Sequence, residues 1–287
     1  MIIDDHNHAD WHGHDFKKFI ANMDERGIDK CWILSWECPE SEVDPATWYA
    51  FSGRRDIGPV PFSYCLAYKQ AAPDRFVLGY APDPRKPGAI ENLRAAVAIH
   101  GVKVCGELKL RMMLDDWDAV AMYRVCGELG LPVLVHIDYE IESPNNKFPH
   151  PNWWYGGGIE ALERAVAACP QTNFIGHAPG FWAHISGDEE YKTKSYPDGK
   201  VLPGGKLPAM LRKYPNLYCD ISAGSGANAL SRDPEFTKGF LTEFADRVLY
   251  GRDYFDNRHQ EVLNSLDLSR EILDKIYFRN AQKLISE

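Results

Sequence analysis

The chain has 287 residues, of which 45% are hydrophobic and 25% charged. That balance is ordinary for a folded globular protein and excludes disordered or collagen-like chains. Lys and Arg number 32 against 41 Asp and Glu, a formal charge of −9, which argues against a general binder of nucleic acid or anionic membranes.

In chain order, short apolar runs alternate with amphipathic ones. Ile2–His6 reads as a first strand, with Asp15–Arg26 as the helix after it. Lys30–Trp36 is a second strand, and the Pro/Gly-rich stretch Asp56–Pro61 leads into a helix ending near Ala72. Arg75–Ala81 and Val102–Leu110 are the third and fourth strands, separated by a helix over Gly88–Ile99. Asp118–Leu129 is helical and stops at Gly130. Pro132–Ile137 is the fifth strand, Gly158–Ala168 a helix, and Thr172–His177 the sixth strand. Pro203–Lys213 is helical, Asn216–Ser222 the seventh strand, Pro234–Phe244 a helix, and Arg247–Gly251 the eighth strand. His259–Leu266 and Ser269–Ile285 close the chain as helices. The segment SAGSGANAL after the seventh strand reads as a glycine-rich connection, with a phosphate cradle as its alternative.

Near-continuous apolar strands alternating with helices imply an α/β fold whose parallel sheet is covered on both faces. Eight such units in this length predict a closed (β/α)8 TIM barrel spanning residues 1–287 as one domain, with an open doubly wound sheet as the alternative. The N-terminus MIIDDHNHADWHGHD has no basic segment followed by an apolar one, and no run approaches 18 apolar residues. Neither a signal peptide nor a transmembrane helix is expected. The seven cysteines form no C-x-x-C pair, and several lie in apolar runs. They read as reduced core thiols of a cytoplasmic protein. Self-association into a homo-oligomer is compatible with the sequence.

The chemistry sits at strand ends. His6 and His8 are two apart on the first strand and therefore share a face. Glu107 lies near the end of the fourth strand, His136 and His177 end the fifth and sixth, and Asp253 follows the eighth. In a barrel these ends meet at one rim, where imidazole and carboxylate together suit a divalent metal such as zinc. Taken alone, each His reads as a polar core residue and Asp253 as a helix cap.

The set DDHNH, GELKL, VLVHI, FIGHAPGFW and LYGRDYFDN resembles the ordered ligand pattern of the amidohydrolase superfamily. The closest branch looks like the amidohydrolase-related family that contains the aminocarboxymuconate-semialdehyde-decarboxylase-like proteins, and KIYFRNAQKLI is similar to that family's last helix. GELKL also looks like the strand-4 segment of the superfamily's metal-dependent DNases, where the Glu bridges two metals. A carboxylated Lys takes that place in other members. Glu107 is preferred here over Lys109 because it needs no modification. The decarboxylase-like members typically hold one metal and no bridge.

The resemblance implies one or two divalent ions, zinc first, held by His6, His8, Glu107, His136, His177 and Asp253. The expected reaction is hydrolysis of a small organic substrate (amide, ester or lactone) by a metal-activated water. Asp253 serves as the proton acceptor, and His177 as a ligand or carbonyl polariser. The alternative is non-oxidative decarboxylation of a small carboxylate. Lys109, Arg111 and Arg252 are candidate substrate anchors, and Trp182 is a candidate aromatic contact. Asp220 and Ser222 share a face and are expected to reach substrate. A third reading, a binding module without turnover, rests on Trp11, Trp36, Trp153, Trp154 and Trp182 in or near the loops.

Overall fold

Each apolar run read as a strand is a strand in the computed structural model, which describes residues 1–43, 59–138, 155–255 and 257–285. The strands are β1 (Ile3–Asn7), β2 (Lys30–Leu34), β3 (Phe76–Gly79), β4 (Cys105–Leu108), β5 (Val133–His136), β6 (Phe174–His177), β7 (Leu217–Asp220) and β8 (Val248–Leu249). The helices are α1 (Phe16–Arg26), α2 (Phe62–Ala71), α3 (Ala89–His100), α4 (Trp117–Leu129), α5 (Ile159–Ala168), α6 (Pro179–Trp182), α7 (Lys206–Lys213), α8 (Ala223–Ser231), α9 (Pro234–Glu243), α10 (Arg258–Ser265), α11 (Arg270–Asp274) and α12 (Asn280–Ile285). A π-helical stretch, Lys275–Arg279, joins the last two.

Local chemistry sets the helix ends. The Asp15 side chain accepts the Lys18 N–H at the start of α1, and Gly27 ends that helix at φ 67°. Asp116 and Gly130 bracket α4 in the same way. A side-chain oxygen satisfies an otherwise unpaired N–H, and only glycine enters the left-handed region without cost.

All strand pairs are parallel. β1–β2–β3 form one ladder and β4 to β8 another. The ladders meet at a parallel bridge between Gly79 and Val104, where the Tyr80 N–H donates to the Val104 carbonyl at 3.0 Å. On the other side the Asp5 N–H donates to the Tyr250 carbonyl at 3.0 Å, bringing the end of β8 against β1. The chain is a parallel (β/α)8 barrel of the TIM type.

Ile3, Trp32, Leu34, Val77, Val104, Leu134, Ile175, Tyr218 and Leu249 pack as one buried cluster. Ala281, Leu284 and Ile285 of α12 join it. The first nine come from seven of the eight strands and from Val104, the residue just before β4, so they are the barrel interior. A second, larger cluster lies between strands and helices. All seven cysteines are free and buried. No described helix is long and apolar enough to cross a membrane.

One segment differs from expectation. SAGSGANAL is a helix, α8, not an open glycine-rich connection. A Cβ at Gly226 would overlap the Ile221 carbonyl, so its glycine serves close packing against the end of β7. The segment PGFW, after β6, forms the short α6.

Candidate metal centre

The strand ends bring five of the six expected ligands to one point. His6 Nε2 lies 3.8 Å from Glu107 Oε2 and 3.7 Å from Asp253 Oδ1. His8 Nε2 lies 3.3 Å and 3.4 Å from the same two oxygens. His177 Nε2 is 4.0 Å from Glu107 Oε1 and 3.8 Å from Asp253 Oδ2. The sixth, His136, also approaches Glu107, but through Nδ1, at 2.7 Å from Oε1. Three overlapping triads are close enough to hold an ion: His6–His177–Asp253, His6–His8–Glu107 and Glu107–His136–His177.

Each imidazole is fixed from behind. His6 Nδ1 pairs with Asp220 Oδ2 at 2.6 Å, His8 Nδ1 with the Leu34 carbonyl at 2.8 Å, and His177 Nδ1 with Ser222 Oγ at 2.9 Å. Ser222 Oγ in turn donates to Asp220 Oδ2 at 2.7 Å. Asp220 and Ser222, expected to reach substrate, instead hold ring nitrogens. Such outer partners set which nitrogen faces a metal.

Burial alone would lower the His6 imidazole, but the carboxylates of Asp253 and Asp220 hold it well above its ordinary value. Burial likewise works to raise Glu107 and Asp253. The surrounding imidazoles win, keeping Glu107 well below the usual carboxylate range and Asp253 at about 2. The pocket therefore concentrates buried negative charge around imidazoles and favours a cation.

The orphaned atoms say the same. His6 Nε2, His136 Nε2, His177 Nε2 and Asp253 Oδ1 are buried without a hydrogen-bond partner, a cost of about 1–3 kcal/mol each. Three of the four face the centre, where a divalent cation would satisfy them.

The remaining expected residues lie elsewhere. Lys109 Nζ sits over the Trp36 ring, 4.4 Å from its centroid, and 5.2 Å from that of Tyr155. Glu107, not Lys109, stands among the imidazoles. Arg111 is half-buried, and its backbone N–H donates to Glu42 Oε2 at 2.9 Å. Trp182 is 1% exposed. It gives its indole N–H to the Asp220 carbonyl at 2.9 Å and packs on Phe181 and Phe240. This corrects its reading as a substrate contact, because an indole so enclosed has no open face. Arg252 is likewise fully buried and pairs with Asp4 at 2.8 Å. Its charge is consumed inside the fold. Trp153 and Trp154 lie outside the described residues.

Sequence reasoning missed two acids. Asp5 is fully buried with both carboxyl oxygens unpartnered, and burial together with Asp220 pushes its carboxyl well up. Asp138 lies 3.4 Å from His136 Nε2. Its only sequence signal is its position two residues after a strand-end histidine.

A family model described as "Amidohydrolase" matches residues 3–286. The chain belongs to the amidohydrolase family. It is thereby an enzyme of a metal-dependent superfamily, as the ligand pattern implied. No curated protein matches the chain.

Solved structures similar to this amidohydrolase include an uncharacterised TIM-barrel protein from Bordetella bronchiseptica. It has 17% identity and a TM-score of 0.62, with 94% of this chain and 82% of that one covered. A dihydroxybenzoic acid decarboxylase from Polaromonas, with bound manganese and 2-nitroresorcinol, has 18% identity and a TM-score of 0.56, covering 94% and 85%. A probable 2-pyrone-4,6-dicarboxylic acid hydrolase from Acinetobacter baumannii, with citric acid bound, has 13% identity and a TM-score of 0.60, covering 100% and 99%. At these identities the likeness shows the shared fold.

Proposed function

We propose that this amidohydrolase is a metal-dependent hydrolase that uses a metal-activated water on a small organic substrate of the amide, ester or lactone type. The placement of Glu107 carries the reading. Its Oε2 faces His6 and His8, while its Oε1 faces His136 and His177. A carboxylate so divided suits two ions side by side. His6, His8 and Asp253 would hold one and His136 and His177 the other, with Glu107 between them. Zinc is the metal proposed, because imidazole and carboxylate donors suit it. The same reading takes residues 1–287 as one domain, since the ligands come from both ends of the chain.

A bound divalent cation would bring the pKa of a water at the site towards about 7 and polarise the substrate oxygen. Asp253 is the most exposed of these groups, with 18% of its side chain accessible, so it reaches the mouth of the site. It is ionised at neutral pH and takes the proton of the attacking water, then passes it to the leaving group. Asp220 and Ser222 keep the rings of His6 and His177 in place while this happens.

The test is a turnover screen of the zinc-reconstituted protein on esters, lactones, amides and phosphodiesters in 18O-labelled water, with carboxylate substrates in parallel. The expected result is label in the product and loss of turnover on chelation. Release of CO2 from a carboxylate substrate, with no label taken up from any substrate, would overturn hydrolysis.

A further inference from the structure

The start of α8 forms one wall beside the centre. Ser222, just before the helix, holds His177 Nδ1 at 2.9 Å. The Ala223 N–H donates at 2.9 Å to the carbonyl of Arg252, the residue before Asp253. Gly224 comes next, and the Tyr196 ring lies against it: a Cβ at Gly224 would meet Tyr196 Cε1 at 3.5 Å. Tyr196 therefore stands one layer out from His177 and Asp253. Its electrostatics agree. Burial, followed by the charges of Asp138 and Asp253, raises its phenol, so strand-end carboxylates from β5 and β8 both stand near it.

Tyr196 belongs to the segment between α6 and α7, and that segment is fastened to the body of α8. Asn228 Nδ2 donates to the Pro197 carbonyl at 2.8 Å. Arg232, with only 2% of its side chain exposed, donates to the Gly199 carbonyl and reaches Asp188 Oδ2 at 3.1 Å. The backbone on the C-terminal side of Tyr196 is thus fixed, yet the residue is 47% exposed. Its ring borders a cavity of about 570 Å³ that Gly224, Ala227 and Val262 also line. Arg258 and Glu261 on the same wall carry opposite charges, so the cavity selects no net charge. A large ring held open beside a centre is prepaid binding surface, because little of its freedom is left to lose.

We propose that Tyr196 is a specificity-determining residue, whose ring packs against the planar, apolar body of a substrate while the reacting group lies at the metal centre. This rests on the metal centre of the proposed function and adds the shape of what that centre accepts. It holds for hydrolysis and for decarboxylation alike.

The experiment uses two probes with one metal-binding group and different bodies. Zinc-loaded protein is titrated calorimetrically with acetohydroxamate, which carries a methyl group, and benzohydroxamate, which carries a phenyl ring. Wild type is expected to bind benzohydroxamate more tightly. Tyr196→Ala should lose about 3- to 10-fold of the benzohydroxamate affinity, the worth of one aromatic contact, and keep that for acetohydroxamate. Tyr196→Phe retains the ring and should match wild type with both. Wild-type affinity for benzohydroxamate in Tyr196→Ala would overturn the proposal. So would an equal loss for both probes, or a Tyr196→Phe protein as weak as Tyr196→Ala. Failure of both probes to bind wild type would instead overturn the metal centre, and the proposal with it. None of these readouts depends on turnover.

Discussion

Asp220 touches neither the centre nor solvent, yet it fixes His6 through a 2.6 Å contact at Nδ1 and accepts the Ser222 hydroxyl that holds His177. Asp220→Ala is expected to lower zinc affinity by about 10- to 100-fold, read by calorimetric titration, and an unchanged affinity would contradict the role. A pH dependence follows from the same residues. Burial works to lower His6 and His8, but the facing carboxylates hold both above the ordinary value. The cation-free protein therefore keeps protons there at a pH where free imidazole has lost most of its own. Zinc must displace them, so uptake at pH 7 releases protons, and affinity rises with pH until both rings are titrated. Titrations in two buffers of different ionisation enthalpy should give different heats, and equal heats would contradict the reading. The convergence of His6, His8, Glu107, His177 and Asp253 was legible in the sequence because their spacing and strand ends suffice to bring them together. The jobs of Asp220 and Ser222 were not, because a polar side chain near a strand end can face a substrate or an imidazole equally well. Only the folded neighbours decide which.

At the scale of elements, the backbone just after β8 leaves no room for a side chain beside the centre. A Cβ at Gly251 would overlap Asp5 Oδ1 and Asp220 Oδ1 and approach the His6 Cβ to 3.1 Å. Gly251→Ala must therefore move either the barrel strand or the His6–Asp220 pair. A loss of about 1–3 kcal/mol in stability is expected, together with weakened zinc binding, both measured on the same preparation by urea unfolding and titration. The strand and helix series was readable because periodicity and caps such as Asp15 and Gly130 are local signals. Segment α8 was not. Its glycines look like loop residues until Ile221 shows that they make room for a helix.

Across the whole molecule, the two ends of the strand series are tied by charge as well as by backbone. Arg252 Nε donates to Asp4 Oδ2 at 2.8 Å and its Nη1 to Asn22 Oδ1 at 2.7 Å, while its own N–H donates to Asp4 Oδ1 at 2.9 Å. Both charged side chains are fully buried. Arg252→Met leaves the Asp4 carboxylate buried without its partner and is expected to cost about 3–5 kcal/mol. A urea midpoint equal to wild type would show that the pair does not fasten β8 to β1. That fastening matters because it brings Asp253 to His6 and so completes the centre. The proposed hydrolysis depends most on two ions sharing Glu107, and anomalous diffraction from zinc-loaded crystals tests this directly. Two peaks flanking Glu107, one beside His6, His8 and Asp253 and one beside His136 and His177, are expected. A single peak with Glu107 outside its coordination would contradict the proposal.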